Sequence, residues 1–415
     1  MKLFNKINRY FGSFHYSKYD LNQLSVLMGY QGKDLLVYFD ICEDNYICST
    51  TKRPINFKIF VVAMNLFFKT AIRQPAVFLK SLRWFHTIYF ICGYLKLNKI
   101  SSLVSFVDYN PLPTYIKKIL DNKLITFGIQ NSRRENRSSH FNFDNYLLLA
   151  PIKKNEQLSN HSCRKHEFGS LRLLLALNKN DSWNYIQKIP DTNEMPSNFI
   201  LISSISKDFL NFINFNFKSK FSTQDFKLKL QELINKYDNS NYFREMRFIN
   251  FLILCDYLAD YTNKTKDKVA IINRSDTKLS EISLEKKFFE NFPRFEFNRL
   301  TKIEKYDYIL AKKNRIFVSD ISTLSRECLS TNSKCIFFNY YVHYTGDYWT
   351  KNDAIFYSNK EERKDFYLRL DKIKQLNKVD FINEKKKIRF EASIFSPDKK
   401  KLEEFLNMSN LKLRK

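Results

Sequence analysis

The residues whose types and spacing best suit chemistry lie between Val318 and Glu327, where the apolar run RIFVSD breaks into Ile321-Ser322-Thr323-Leu324-Ser325-Arg326-Glu327. Hydroxyl residues opening a helix stand beside unpaired backbone N–H groups and the positive end of the helix dipole, a combination suited to a phosphate. On this reading Asp320 closes a strand, and Ser322, Thr323 and Leu324 form the turn that takes the phosphate. Glu327, one helical turn past Thr323, supports that turn or reaches a ligand hydroxyl. Ser322 equally suits a plain N-cap, a common use of serine.

A second set of candidates sits earlier in the chain. Asp108 ends the apolar run SLVSFVDYN, where a carboxylate serves as general base, as nucleophile, or as cap of a helix starting near Pro111. Gln130 and Asn131 end the run LITFGIQN, and Arg133, Arg134 and Arg137 follow in a polar loop. Guanidinium groups bind carboxylates or phosphates bidentately, although such a loop is also an ordinary solvated face in a basic protein. His161, Cys163 and His166 have no second Cys or His pair, and no Asp-x-Asp lies between a strand and a loop, so no metal site is expected.

The elements that would position these residues follow a regular order. Apolar runs at 102–110, 124–131 and 143–150, then 198–206, 268–273, 295–300, 315–320 and 334–340, alternate with helix-like segments that include 223–237, 242–261, 281–292 and 322–330. The runs lack period-two alternation, which indicates parallel sheets covered on both faces. Such sheets bind ligands beyond the carboxyl ends of their strands. The expected fold is therefore α/β, with two Rossmann-like domains, 1–190 and 191–415, whose parallel sheets face a cleft. Closing helices at 361–376 and 400–408 are expected to pack back across it.

Length and charge bound the rest. A chain of 415 residues with 40 Phe and 24 Tyr supplies more than one core, and seven cysteines, an odd number, fit reduced thiols in a cytoplasmic protein. The net charge of +26 attracts polyanions. No RNA-binding aromatic motif or Cys/His finger accompanies it, and nucleic acid is not an expected partner. The apolar region from Phe57 to Leu95 is interrupted by Lys69, Arg73, Lys80 and Arg83, so it is too short to span a bilayer. With Trp84, Phe85 and Phe90 it suits either the surface of an anionic inner membrane or, as the preferred reading, core-facing helices with a solvated basic side.

Taken in order, FVDYNP, FGIQNSRRENR, FDNYLLLA, FGSLR, SDISTLSRECLSTNSKCIFFN and GDYWTKND resemble the motif series of GT-B glycosyltransferases that build surface carbohydrate. The likeness runs from about Leu103 to Leu406 and extends to retaining β-Kdo transferases and other enzymes using CMP-linked acidic sugars. It departs at Ser132 and Ser325, where glycines are common, and at Ile271-Ile272-Asn273-Arg274, where a His-Pro is common.

The resemblance implies a metal-independent enzyme with no cofactor beyond its nucleotide-sugar donor, which is CMP-linked. It places the donor against Asp320, Ser322, Thr323, Leu324, Glu327, Asn273 and Arg274. A lipid-linked or polysaccharide acceptor falls near Gln130, Asn131, Arg133, Arg134, Gly169 and Ser170, with Asp108 as the catalytic carboxylate. The alternative is a basic binding protein, without catalysis, for RNA or an anionic membrane surface.

Overall fold

The computed structural model describes residues 14–16, 25–28, 30–41, 45–47, 53–82, 85–106, 111–130, 143–151, 163–186, 198–217, 220–237, 243–274, 279–320, 322–340, 354–358, 362–388 and 394–414. The chain divides into two compact units, Met1–Leu175 with Pro397–Lys415, and Ala176–Ser396.

In the first unit, β1 (Phe14–Tyr16) and β4 (Arg53–Ile55) form a two-stranded parallel ribbon. The main sheet comprises β2 (Ser25–Met28), β3 (Tyr46–Ile47), β5 (Ser102–Ser105), β6 (Ile125–Ile129), β7 (Asn145–Leu148) and β8 (Arg164–Glu167), in the order β3-β2-β5-β6-β7-β8. Every neighbouring pair is parallel. β5 and β7 are buried along their whole length, which is why their sequences are apolar runs without alternation. β8 reads Arg-Lys-His-Glu and is mostly exposed, as suits an edge that must not recruit another strand.

The second unit repeats the plan with β9 (Asn198–Ile202), β10 (Lys268–Ile272), β11 (Phe295–Asn298), β12 (Ile316–Ser319), β13 (Cys335–Phe338) and β14 (Tyr357–Ser358). Their order is β11-β10-β9-β12-β13-β14, again all parallel. Numbered within the unit, this is 3-2-1-4-5-6, the doubly wound order of dinucleotide-binding folds. Both units are Rossmann-like α/β layers, consistent with a GT-B-like fold.

The closing helices divide between the units. Arg363–Gln375 and Lys378–Lys386 stay with the second, whereas Lys399–Ser409 belongs to the first. There the Phe405 ring meets the edges of Phe127 and Phe168 at centroid distances of 6.0 and 5.5 Å. The hydroxyls of Ser25 and Ser102 close on the Ser409 carbonyl, and Phe39 bridges antiparallel to Leu413.

The basic, aromatic region of the first unit forms the helices Phe57–Arg73, Pro75–Ser81 and Phe85–Leu97. The first starts at Asn56, whose side chain accepts from the Ile59 N–H at 2.9 Å, and buries Ile59, Ala63, Leu66 and Thr70. Gly93 makes this packing possible, because a Cβ there would lie 2.8 Å from the Ile59 carbonyl oxygen. The basic residues Lys58, Arg73 and Lys80 are exposed, but apolar residues share the solvent with them. The face opposite the buried one carries Phe57, Val61, Phe68 and Ile72, all exposed, because the segment is apolar at two helical phases rather than one. Arg83 and Trp84 lie outside the described residues, as does the Phe85 side chain.

Candidate functional site

The strand order of the second sheet reverses between β9 and β12, and crevices at such points bind ligands in doubly wound folds. Ile316, Phe317 and Val318 pair with Phe199, Ile200 and Leu201, so the two strands end side by side. Beyond those ends, the Ser204 hydroxyl donates to Oδ1 of Asp320. Asp320 is fully buried, and its Oδ2 has no hydrogen-bond partner among the described residues. The hydroxyls of Ser319, in the strand, and Ser325, in the following helix, are also buried without a partner among the described residues. A buried acceptor left unpaired is costly unless something else binds it.

The helix Thr323–Ser330 begins immediately after this point. Ser322 holds the N-cap position with extended backbone, φ −120° and ψ 129°, yet its side chain makes no capping hydrogen bond. Its hydroxyl and that of the half-buried Thr323 are therefore not spent on the helix. The first-turn amides have no acceptor within the helix. Leu324 is half-buried in the same turn.

Arg274 approaches from the end of β10. Its guanidinium donates to the Ser204 carbonyl at 2.7 Å, and its backbone N–H donates to Glu285 at 3.1 Å. Partial desolvation, and then the like charge of Arg247, push the Arg274 guanidinium below its ordinary value, while Asp320 and Glu285 pull it back up. Arg247, Asp320 and Glu285 therefore lie within electrostatic reach of Arg274. Arg247 comes from the helix Phe243–Thr265 and is half-buried, whereas Arg274 remains exposed as a residue.

The remaining donor-side candidates are tied into the scaffold. Asn273 accepts from the Leu300 N–H at 2.8 Å, and Lys305 donates to the Arg274 carbonyl at 3.1 Å. Glu327 is buried and accepts the Tyr306 hydroxyl at 2.9 Å. These contacts fix the loop after β10 and the inner face of the Thr323–Ser330 helix.

On the first unit, Gln130, Gly169 and Ser170 meet at the carboxyl ends of β6, β7 and β8. Gln130 accepts the Leu149 N–H at 2.9 Å, and the Gly169 N–H donates to the Leu148 carbonyl at 2.9 Å. Gly169 sits at φ 89°, a conformation glycine adopts without strain. Ser170 opens the helix Leu171–Lys179, its hydroxyl accepting the Leu173 N–H at 3.3 Å. Arg172 then pairs with Asp34 through two hydrogen bonds of 2.7 and 3.2 Å. Asp108, Asn131, Arg133, Arg134 and Arg137 lie outside the described residues, as does the GDYWTKND segment.

No family model matches the chain, and no curated protein matches it. Among the described residues, no group of three or more His, Cys, Asp or Glu is placed to hold a metal ion. His166 instead shares a 2.9 Å hydrogen bond with Asn145, Cys163 is half-buried, and His161 lies outside the described residues.

Three features of the site escaped the sequence reading. Arg247 lies inside a long helix, where a lone arginine reads as surface charge. Ser203 and Ser204 follow the apolar run of β9, and the strand stops at Ile202 rather than at Ser206. A polar pair after an apolar run was the signal there. That Ser204 faces Asp320 depends on strand order, which no local pattern encodes.

Proposed function

We propose that the protein is a glycosyltransferase of the GT-B type whose second unit binds the phosphate of a nucleotide-sugar donor at the β9/β12 switch point. The observation that carries this reading is the convergence there of Arg274, Ser204 and the buried Asp320 with an uncapped helix start. Arg247, Arg274 and the first-turn amides of Thr323–Ser330 would stabilise the charge that develops on the leaving phosphate, a task cations and helix dipoles perform without a metal. Asp320 Oδ2 would accept a hydroxyl of the donor, using the one carboxylate oxygen that Ser204 leaves unoccupied.

The motif series supports a finer reading, in which the donor is CMP-linked and carries Kdo or a related acidic sugar. The first unit would hold a lipid-linked or polysaccharide acceptor at the rim containing Gln130, Gly169 and Ser170. An acceptor oxygen forms the new bond to the anomeric carbon as the bond to phosphate breaks. Asp108 takes the acceptor proton; in the alternative, Asp108 bonds the anomeric carbon first as the phosphate leaves, and the acceptor oxygen then displaces Asp108, with the acceptor proton released as that bond forms. Saturation-transfer NMR with CMP, UDP and GDP tests the proposal: CMP signals should be selectively attenuated. Binding of UDP or GDP alone would retain transfer and reject the CMP assignment, and binding of none would reject the transferase reading.

A further inference from the structure

The first unit carries an exposed apolar stripe set in a stretch of sequence without acidic residues. On the Phe57–Arg73 helix, Phe57, Val61, Phe68 and Ile72 recur at spacings of four, seven and four residues, so they lie along one line opposite the buried face. Their exposures are 80%, 49%, 58% and 81%. Leu79 and Leu82, at the end of the next helix, are exposed as well. Single exposed apolar residues are ordinary, but an aligned row of large ones marks a surface that meets something other than water.

The stretch of sequence that carries this row has charge of one sign. From Asn45 to Val107 the sequence contains no Asp or Glu. Lys80, Lys96 and Lys99 are exposed and form no ion pair among the described residues. Lys69, on the flank of the helix, pairs with Asp121 of the following segment. Lys69, Lys96, Lys99 and Asp121 line a pocket of about 390 Å³ on the Leu66 side of the helix, away from the row. Lys58, on the flank of the same helix, and Lys80, next to Leu79, put exposed positive charge beside the row of aromatic and aliphatic side chains, which matches the two layers of a bilayer interface: charged head groups above, acyl chains below.

We infer that the Phe57–Leu82 surface docks the protein on an anionic phospholipid bilayer, with Phe57, Phe68 and Ile72 entering the acyl boundary and Lys58 and Lys80 meeting lipid phosphates. None of the described helices is long and apolar enough to cross a membrane, so this attachment is interfacial. The inference is independent of sugar transfer, and nucleotide binding is a separate readout. Its occupant is set by charge: the stripe alone would suit a protein partner, whereas a stripe carried on a stretch with basic and no acidic residues suits a dense anionic sheet.

The test is cosedimentation of the full chain with vesicles of phosphatidylglycerol and phosphatidylcholine, compared with vesicles of phosphatidylcholine alone. Binding is expected to the anionic vesicles only, and to fall with added salt. Phe68→Ser/Ile72→Ser alters two exposed positions, so folding, checked by melting temperature, should persist while vesicle affinity falls roughly ten-fold or more. Lys58→Gln/Lys80→Gln should lose a similar factor, since each surface lysine contributes about five-fold. Failure of the wild-type chain to bind anionic vesicles would overturn the inference. So would undiminished binding by the folded Phe68→Ser/Ile72→Ser variant, or self-association that the same substitutions abolish without any vesicle binding.

Discussion

Ser204 and Asp320 are separated by 116 residues yet hydrogen-bond across the one place where the order of the second sheet reverses. The bond commits one oxygen of a fully buried carboxylate and leaves the other without a protein partner among the described residues. Replacing Ser204 by Ala would strip the first oxygen too, and leaving a buried acceptor unpaired costs about 1–3 kcal/mol. Urea denaturation of Ser204→Ala should therefore show a lower midpoint with an unchanged slope. A wild-type midpoint would mean that Asp320 does not depend on this contact.

Ser322 and Thr301 occupy the same formal position at two helix starts but are used differently. Thr301 makes a full capping box with Glu304, donor to acceptor distances being 3.3 and 2.7 Å, whereas Ser322 makes no side-chain cap. Thr301→Ala should lower stability by about 1 kcal/mol, and Ser322→Ala by much less. Equal losses in thermal denaturation would show that the Ser322 hydroxyl serves the fold rather than a ligand.

Gly93 is required by close approach of two helices. A methyl group there meets the Ile59 carbonyl and, at 3.2 Å, the Ala63 nitrogen, both backbone atoms that cannot swing aside. Gly93→Ala should cost about 1–3 kcal/mol despite alanine's better helix propensity. A gain in melting temperature would contradict the packing described.

Lys385 donates to Asn332 at 2.6 Å, and burial pushes its ammonium down to about 8 from an ordinary 10.5. Between those values the unfolded chain holds a proton that the folded one has released, so this group makes stability rise with pH across that interval. Lys385→Met should remove that contribution. Comparing melting temperatures at pH 7.5 and 9.5, the wild-type protein should gain relative to the variant on going to the higher pH. A parallel pH response would show that Lys385 is not desolvated.

Asp108→Asn separates catalysis from capping. A catalytic carboxylate predicts a large loss of transfer with donor binding kept, whereas a capping role predicts near-normal turnover, because Asn caps about as well as Asp. Transfer rate and melting temperature measured on the same preparation distinguish the two.

Much of the fold was legible because buried parallel strands announce themselves. The apolar cores of β5, β6, β7, β9, β10, β12 and β13 all stand inside the expected runs. β8 did not, since an edge strand reading Arg-Lys-His-Glu carries the composition of a loop. The helix Lys302–Ala311 left a sign in Thr301-x-x-Glu304, a capping box readable from spacing alone.

The candidate site was legible only in part, and for a different reason. The Ser322-Thr323 turn is local and can be read from neighbouring residues. Ser204, Arg247 and Arg274 join it only through the 3-2-1-4-5-6 strand order, which is a property of the whole sheet. The Phe57–Arg73 helix was ambiguous because it presents two apolar faces, and Gly93, pressed against Ile59, marks the one that turns inward.

The most direct test of the account is titration calorimetry with CMP, UDP and GDP on the wild-type protein, on Ser322→Ala/Thr323→Ala and on Arg247→Gln. The account predicts that the wild-type chain binds a nucleotide. It predicts that each variant, with its melting temperature kept, binds that nucleotide more weakly by about 1–3 kcal/mol. Absence of nucleotide binding by the wild-type chain, or unchanged affinity in both folded variants, would contradict a donor phosphate site at the β9/β12 switch point.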